Sequence, residues 1–230
     1  MPVVTVSGQT GSNAREVARL AAQRLGIDYI DQQLLVQAAA SLGVPVEAIV
    51  PFDERTASLG ERLAGILRRF LERSAAGAID PTLGASGLEF VLGRTYGQAV
   101  EGEPPEVSDD RYRSTLCAIV RDLSSHGDVL IVGRGGQVIL KDAPDALHLL
   151  LVGPLERRIE TLARQEGIDA EAAARRVHDR DRERAAFHQK FFKVDPNQPS
   201  LYHLVLNTAW FSPGDAAQLI AEASQRVQRR

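Results

Sequence analysis

A chain of 230 residues with 44% hydrophobic and 25% charged side chains has the composition of an ordinary folded domain. It is long enough to bury a core without disulfides or a structural metal. A formal net charge of −3 provides no global attraction to nucleic acid or to an anionic membrane surface, and the single cysteine, Cys117, excludes an intramolecular disulfide and suits a reducing compartment. The opening residues MPVVTV carry no basic segment ahead of a long apolar run, and no apolar run approaches a membrane span. The cytoplasm is the expected location, with no nucleic-acid and no membrane partner. Lys141, Lys190 and Lys193 are the only lysines, so nearly all positive charge is arginine, which suits bidentate contacts to phosphate.

The elements follow in chain order. Val3 to Val6 is a short apolar run rich in β-branched residues and reads as a buried strand. Gly8 and Gly11 break it. From Asn13 to Leu25 the apolar residues Ala14, Val17, Ala18, Ala21, Ala22 and Leu25 fall at helical spacing, and Gly26 supplies a stop. "IDYID" at 27–31 fits a second short strand. Residues 51–110 differ in character, with one amphipathic helix (Leu59, Leu63, Ile66, Leu67, Phe70, Leu71) and then a Gly-rich, weakly patterned stretch from Ala75 to Gly102. This region reads as a helical insert with a mobile end. Tyr112, Leu116, Ile119, Val120 and Leu123 share a helix face that ends at Gly127. Strands are expected at Asp128–Gly133, Ala146–Val152 and Leu201–Asn207, with helices at 155–166, 170–190 and 213–228. Continuous apolar strands alternating with amphipathic helices predict an α/β fold with a parallel sheet covered on both faces.

The turn in "VTVSGQTGSNARE" lies between a strand and a helix. There the backbone N–H groups converge and the helix N-terminus adds partial positive charge, so an anion is favoured. Gly8 and Gly11 permit the tight path, and Ser12 is able either to cap the helix or to bond a phosphate oxygen. A full Walker loop would end in Lys-Ser/Thr; counted from Gly8, those positions are Ala14 and Arg15, so the Walker pattern is not met. On spacing alone, an ordinary capped turn and an anion cradle both remain open. Farther on, Arg134 in "VGRGG" follows a buried strand, at the edge where open α/β sheets bind ligands. "ARRVHDRDRERAAFHQKFF" gathers Arg175, Arg176, Arg180, Arg182 and Arg184. Alternating charges of this kind usually make a solvated helix face, although Arg180 and Arg184 share a side at i and i+4. The five histidines (His126, His148, His178, His188, His203) show no metal-ligand spacing, so no protein metal site is expected, and Tyr202 and His203 read as packing residues of the last strand.

"VTVSGQTGSNAREVARLAAQRLGIDYIDQQLL" resembles the start of the cytidylate kinase-like family, a branch of the P-loop nucleoside monophosphate kinases. The likeness continues in "HGDVLIVGRGGQVIL", "LLLVGPLERRIETLARQEGI", "RDRERAAFHQKFF" and "LYHLVLNT". In that family the loop commonly reads Gly-Ser-Gly-Gly-Arg-Glu and lacks the Walker lysine. Ser12, Arg15 and Glu16 match it; Asn13 and Ala14 stand where it places glycine. The resemblance implies one three-layer domain with a parallel sheet of about five strands, an acceptor-binding insert at 51–110 and an arginine-rich lid at 175–200. It implies ATP as donor, with its phosphates held by Gly8, Gly11, Ser12, Asn13, Ala14, Arg15 and Glu16. Mg2+ would accompany the phosphates, largely water-coordinated, with Glu16 reaching it through water. Asp31, Arg134 and Arg158 match acceptor-binding positions, and Arg15, Arg180, Asp181 and Arg184 match groups that act on the transferring phosphoryl. Lys190 and Lys193 lie beyond the lid motif, and either is a candidate to replace the absent loop lysine. Gly135 replaces an aspartate of the family pattern, so a cytosine preference does not carry over. A nucleotide-binding protein with little catalysis, or a kinase for another small molecule, stay open beside the phosphotransferase, as does a homodimer.

Overall fold

Strand β1 (Val3–Gly8) takes the centre of the sheet because its side chains alternate between two buried faces. The computed structural model describes residues 2–41, 63–69, 71–72, 91–100 and 108–227. The other strands are β2 (Asp28–Ile30), β3 (Val129–Val132), β4 (Ala146–Val152) and β5 (Leu204–Asn207), in the order β2-β3-β1-β4-β5. β1 pairs in parallel with β3 and β4, and β4 in parallel with β5. The helices are α1 (Ala14–Leu25), α2 (Gln32–Ser41), α3 (Tyr96–Val100), α4 (Asp109–Ser125), α5 (Gly136–Ile139), α6 (Leu155–Glu166), α7 (Ala170–Phe192) and α8 (Pro213–Arg226).

Contacts divide the chain into two units, one of Met1–Tyr29, Thr95–Gly102 and Gly127–Arg230, the other of Ile30–Arg94 and Glu103–His126. In the first unit, one sheet face carries Val4, Val6, Leu130, Leu147, Leu149, Leu151 and Leu206. They pack on Val17, Ala18, Ala21 and Ala22 of α1 and on Ala216, Ala217 and Ile220 of α8. The alanines let these two helices come close together, the arrangement that the 3.6-residue pattern of small residues dictates. The opposite face carries Thr5, Ser7 and His148, met by Gly136 of α5 and Arg184 of α7. In the second unit, α4 buries Tyr112, Leu116, Ile119, Val120 and Leu123, the face legible in the sequence, and Ser108 caps it by accepting from the Arg111 N–H at 3.3 Å. Helical residues 63–69 and 71–72 carry part of the expected Leu59–Leu71 helix, with Leu63 and Leu67 buried. Leu59 and Phe70, and residues 75–90 and 101–102 of the Gly-rich stretch, lie outside the described residues.

The expected helices match α1, α4, α6, α7 and α8 to within a few residues at each end. The last strand is shorter than expected. Residues Pro199–Leu201 form a 3-10 turn, closed by Tyr202 N–H to Pro199 O at 3.0 Å, and pairing with β4 starts only at Leu204. Proline has no N–H for a ladder, so the apolar run "LYHLVLN" begins as a turn.

Candidate functional site

The chain runs from β1 toward β2 on one side of the sheet and from β4 to β5 on the other, so the order reverses between β1 and β4. Ligands of open α/β sheets bind beyond the carboxyl ends of the strands at such a point. Here it is formed by Gln9–Asn13 after β1 and Gly153–Pro154 after β4, and the two stretches are laced together. The Gly153 N–H donates to Gln9 Oε1 at 3.2 Å, and the Gln9 N–H to Leu151 O at 3.0 Å. Arg158, on the first turns of α6, donates from Nε to Gly153 O at 3.0 Å and from Nη1 to Thr10 O at 3.1 Å. The same Nη1 meets Asp181 Oδ2 at 2.6 Å, while Asp181 Oδ1 accepts the Thr10 N–H at 2.8 Å. Asp181 thus ties α7 to the loop through Thr10 and to α6 through Arg158, and Arg158 ties α6 to the loop. Gly11 has φ +80°, and a Cβ there would run into the Arg158 backbone, so only glycine lets the loop lie this close to α6.

The helix behind the loop starts without a side-chain cap. Asn13, its N-cap, is in the left-handed region (φ 56°, ψ 21°), and its Oδ1 accepts from Gln165 Nε2 at 2.8 Å. This contrasts with α7 and α8, where Asp169 accepts from the Ala172 N–H at 2.7 Å and Ser212 from the Asp215 N–H at 3.2 Å. Ser12 does not cap α1 either. Its residue is 1% exposed, and its Oγ has no hydrogen-bond partner. A buried hydroxyl without a partner is costly, and buried polar groups are nearly always bonded. A Cβ at Gly8 would lie 2.9 Å from that Oγ, so the hydroxyl faces inward across the loop. Arg15 and Glu16 are exposed on the first turn of α1. The arrangement fits an anion: a buried unsatisfied hydroxyl and uncapped helix amides meet at one loop, and Arg15 is exposed on the helix turn that follows it.

The arginines of α7 separate. Arg180 is half exposed and donates from Nη1 to Glu166 Oε1 at 2.7 Å, and Arg176 pairs with the same carboxylate. The Arg180 hydrogen bond, joined by Arg176, holds the Glu166 carboxyl below its usual range. Arg184 is buried; its Nη1 donates to Ser7 Oγ at 3.0 Å and its Nη2 to Asn197 Oδ1. Tyr202 lies in the same cluster and donates to Pro196 O at 2.6 Å, and burial pushes its hydroxyl pKa up. The i and i+4 positions therefore send Arg180 outward to α6 and Arg184 inward to the end of β1. Lys190 reaches Ala99 O at 3.5 Å and lies over the Phe191 ring, and Lys193 is the left-handed C-cap of α7, so neither stands at the loop.

Arg134 follows β3 on three consecutive residues of positive φ, at 75°, 58° and 71°. Its side chain is buried, and its N–H donates to Tyr96 Oη at 3.0 Å. A Cβ at Gly135 would stand 2.5 Å from Phe192 Cε2, so an aspartate at this position would clash with α7 as packed here. Tyr96 packs on Phe187 in a tilted pair with ring centroids 4.8 Å apart, and His188, next to Tyr96, in turn meets Phe192. His188 Nδ1 bonds Arg184 O at 2.7 Å, and a carbonyl only accepts, so Nδ1 carries the proton. Burial holds His188 neutral, with its pKa lowered to about 4. His148 is similar: Nε2 donates to Leu140 O at 3.2 Å, Nδ1 accepts from Thr5 Oγ1 at 2.8 Å, and burial lowers its pKa to about 4. It stacks on His203, whose ring thus packs as expected. Asp31 belongs to the second unit and caps α2, accepting from the Leu34 N–H at 3.0 Å. Among the described residues no group of three or more His, Cys, Asp or Glu side chains could hold a metal ion, and no helix is long and apolar enough to cross a membrane.

Tyr96, Gln9, Gln165, Glu166 and Asn197 complete this site and did not stand out in the sequence. Each acts through a partner on another element, with no local motif to mark it.

A family profile described as the cytidylate kinase-like family matches residues 3–209. The chain is 34% identical to a cytidylate kinase of Methanopyrus kandleri, over 48% of this chain and 61% of that protein. It is 28% identical to a cytidylate kinase of Pyrococcus horikoshii over 44% of this chain and 52% of that one, so it spans between half and two thirds of these two relatives. A cytidylate kinase of Streptococcus gordonii is 24% identical over 97% of this chain and 96% of its own length. Among solved structures, an uncharacterized protein from Eubacterium ventriosum shares the fold, with a TM-score of 0.61, 13% identity and coverage of 98% of this chain and 99% of that one.

Proposed function

Because the chain belongs to the cytidylate kinase-like family, we propose that it is an ATP-dependent phosphotransferase that moves the γ-phosphoryl group to a nucleoside monophosphate or a similarly small acceptor. The observation that carries this reading is the loop after β1, where Ser12 Oγ is buried without a partner in front of a helix that no side chain caps. Only an anionic ligand or ordered water satisfies those donors together, and triphosphate is the anion that the family relationship favours.

Residues Gly8 to Glu16 hold the donor phosphates, mainly through backbone N–H groups, and the exposed guanidinium of Arg15 takes over part of the charge that a Walker lysine would neutralise. Glu16, exposed on the first turn of α1, would hold a Mg2+ ion through water, and the ion would supply neutralisation of phosphate charge. Arg134, beyond β3 in the first unit, contributes to binding the acceptor. Asp181 and Arg158 keep α7 and α6 fixed against the loop. Arg184, held by Ser7 and Asn197, is a rigid positive charge at the carboxyl end of β1. Arg180, half exposed at the side of α7, joins the reaction by swinging its side chain from Glu166 to the phosphates. No general base is needed, because this chemistry rests on positioning and electrostatic stabilisation.

The reading is tested by a turnover screen with ATP and Mg2+ over nucleoside monophosphates and small alcohols, beside nucleotide-binding calorimetry. Turnover on at least one acceptor is expected. ATP binding with no turnover would leave a nucleotide-binding protein; no nucleotide binding would remove the reading altogether.

A further inference from the structure

We propose that Gln165 is a positioning residue that keeps the first amides of α1 open for phosphate, an inference that rests on the reading of the loop as a phosphate cradle. An asparagine at a helix N-cap ordinarily sits in extended backbone and its side-chain oxygen accepts from the N–H of the second or third helical residue, here Arg15 or Glu16. Those are donors that an anion at the loop would use. Asn13 therefore brings into this loop a built-in competitor for its own ligand. A glycine there would have no such side chain.

In this chain the competitor is diverted. Gln165, one residue before the end of α6, donates from Nε2 to Asn13 Oδ1 at 2.8 Å, and Asn13 stands in the left-handed region with no capping bond to α1. Asparagine is among the non-glycine residues that tolerate this conformation best, so the required backbone is kept at modest cost. α6 is itself locked to the loop through Arg158, whose guanidinium bonds both Gly153 O and Thr10 O. Gln165 thus reaches Asn13 from a fixed base. The second sign of a ligand at this helix start is Ser12, 1% exposed, whose Oγ faces Gly8 and has no partner. Without Gln165, Asn13 is one backbone rotation away from capping α1 and closing the amides.

The experiment compares wild type, Gln165→Ala, Asn13→Gly and the double variant. Amide hydrogen exchange at Arg15 and Glu16 is measured in the ligand-free protein, and ATP affinity by calorimetry. In Gln165→Ala, exchange at one or both amides is expected to slow about fivefold and ATP to bind about fivefold more weakly, the size of one side-chain cap. In the Asn13→Gly background, adding Gln165→Ala should change neither readout from its Asn13→Gly value, because no side chain is left to compete. Unchanged exchange in Gln165→Ala, or the same impairment when Gln165→Ala is added to Asn13→Gly, overturns the proposal. Failure of wild type to bind ATP would instead reject the functional reading, and the exchange comparison would still decide whether Gln165 keeps Asn13 from capping.

Discussion

Replacing Asp181 by alanine removes the bond that ties α7 to the loop after β1 and the bond that ties α7 to α6. Oδ1 holds the Thr10 N–H at 2.8 Å and Oδ2 holds Arg158 Nη1 at 2.6 Å. A hydrogen bond to a charged group is worth about 1.5–3 kcal/mol net, and stranding a buried charge costs about 3–5 kcal/mol. Two facts lower the figure here. The Asp181 side chain is 25% exposed, so water screens the pair, and Arg158 keeps its bonds to Gly153 O and Thr10 O. The expected loss is about 2–3 kcal/mol, which for a chain of this size lowers Tm by roughly 4–10 °C. Asp181→Asn should fall between wild type and alanine, since an amide oxygen still accepts from Thr10 but the charge is gone. Thermal and urea unfolding of Asp181→Ala, Arg158→Ala and the double variant supply a cycle, in which about 1–2 kcal/mol of coupling is expected. Single variants that melt with wild type, or effects that simply add, would refute the clamp. ATP affinity should fall in Asp181→Ala along with stability, because the loop loses its anchor to α7.

Arg180→Ala removes an exposed ion pair to Glu166 and should change stability by less than about 1 kcal/mol, while lowering turnover far more than ATP affinity; an unchanged kcat would take Arg180 out of the reaction. Arg15→Ala should weaken ATP much more than AMP in calorimetry, and equal weakening would deny it a role in charge neutralisation. His148 and His188 are held neutral in the fold, with pKa values lowered to about 4, whereas unfolded histidine titrates near 6.5. The unfolded chain therefore binds more protons between about pH 4 and 6.5, so stability is fully present above that window and falls as pH drops through it, by on the order of 3 kcal/mol for each histidine. Urea unfolding at a series of pH values checks this, and His188→Gln should remove one of the two contributions; a flat profile would contradict the burial argument.

β1, β3 and β4 and the helices α1, α4, α6, α7 and α8 were legible because those strands are largely apolar and those helices repeat their apolar or small residues at 3.6 spacing, whereas α2, α3 and α5 were not expected. Leu147, Leu149 and Leu151 point to one face of β4, and nothing in the sequence competes with that pattern. The start of β5 was misplaced because Leu201 and Tyr202 look like strand residues, while Pro199 two positions earlier sets a turn. At the site, the glycine positions and the missing lysine could be read directly. The cap could not, since both Ser12 and Asn13 are good N-cap residues, and only the contact from Gln165, 152 positions away, decides what Asn13 does. Arg180 and Arg184 share a helix side in projection, yet Glu166 on α6 draws one outward and Ser7 on β1 receives the other. Partners that far apart in the chain leave no periodic trace. Arg158 shows the same limit: its position was identified by resemblance, but its bonds to Thr10, Gly153 and Asp181 belong to the folded loop.

The central claim is that a loop without the Walker lysine still recognises phosphate through backbone N–H groups, Ser12 and Arg15. Calorimetry of the full chain with ATP and with adenosine, in the presence of Mg2+, tests it most directly. ATP should bind at least about a hundredfold more tightly than adenosine, since several charge-assisted hydrogen bonds depend on the phosphates. Equal affinities, or binding of neither, would contradict it.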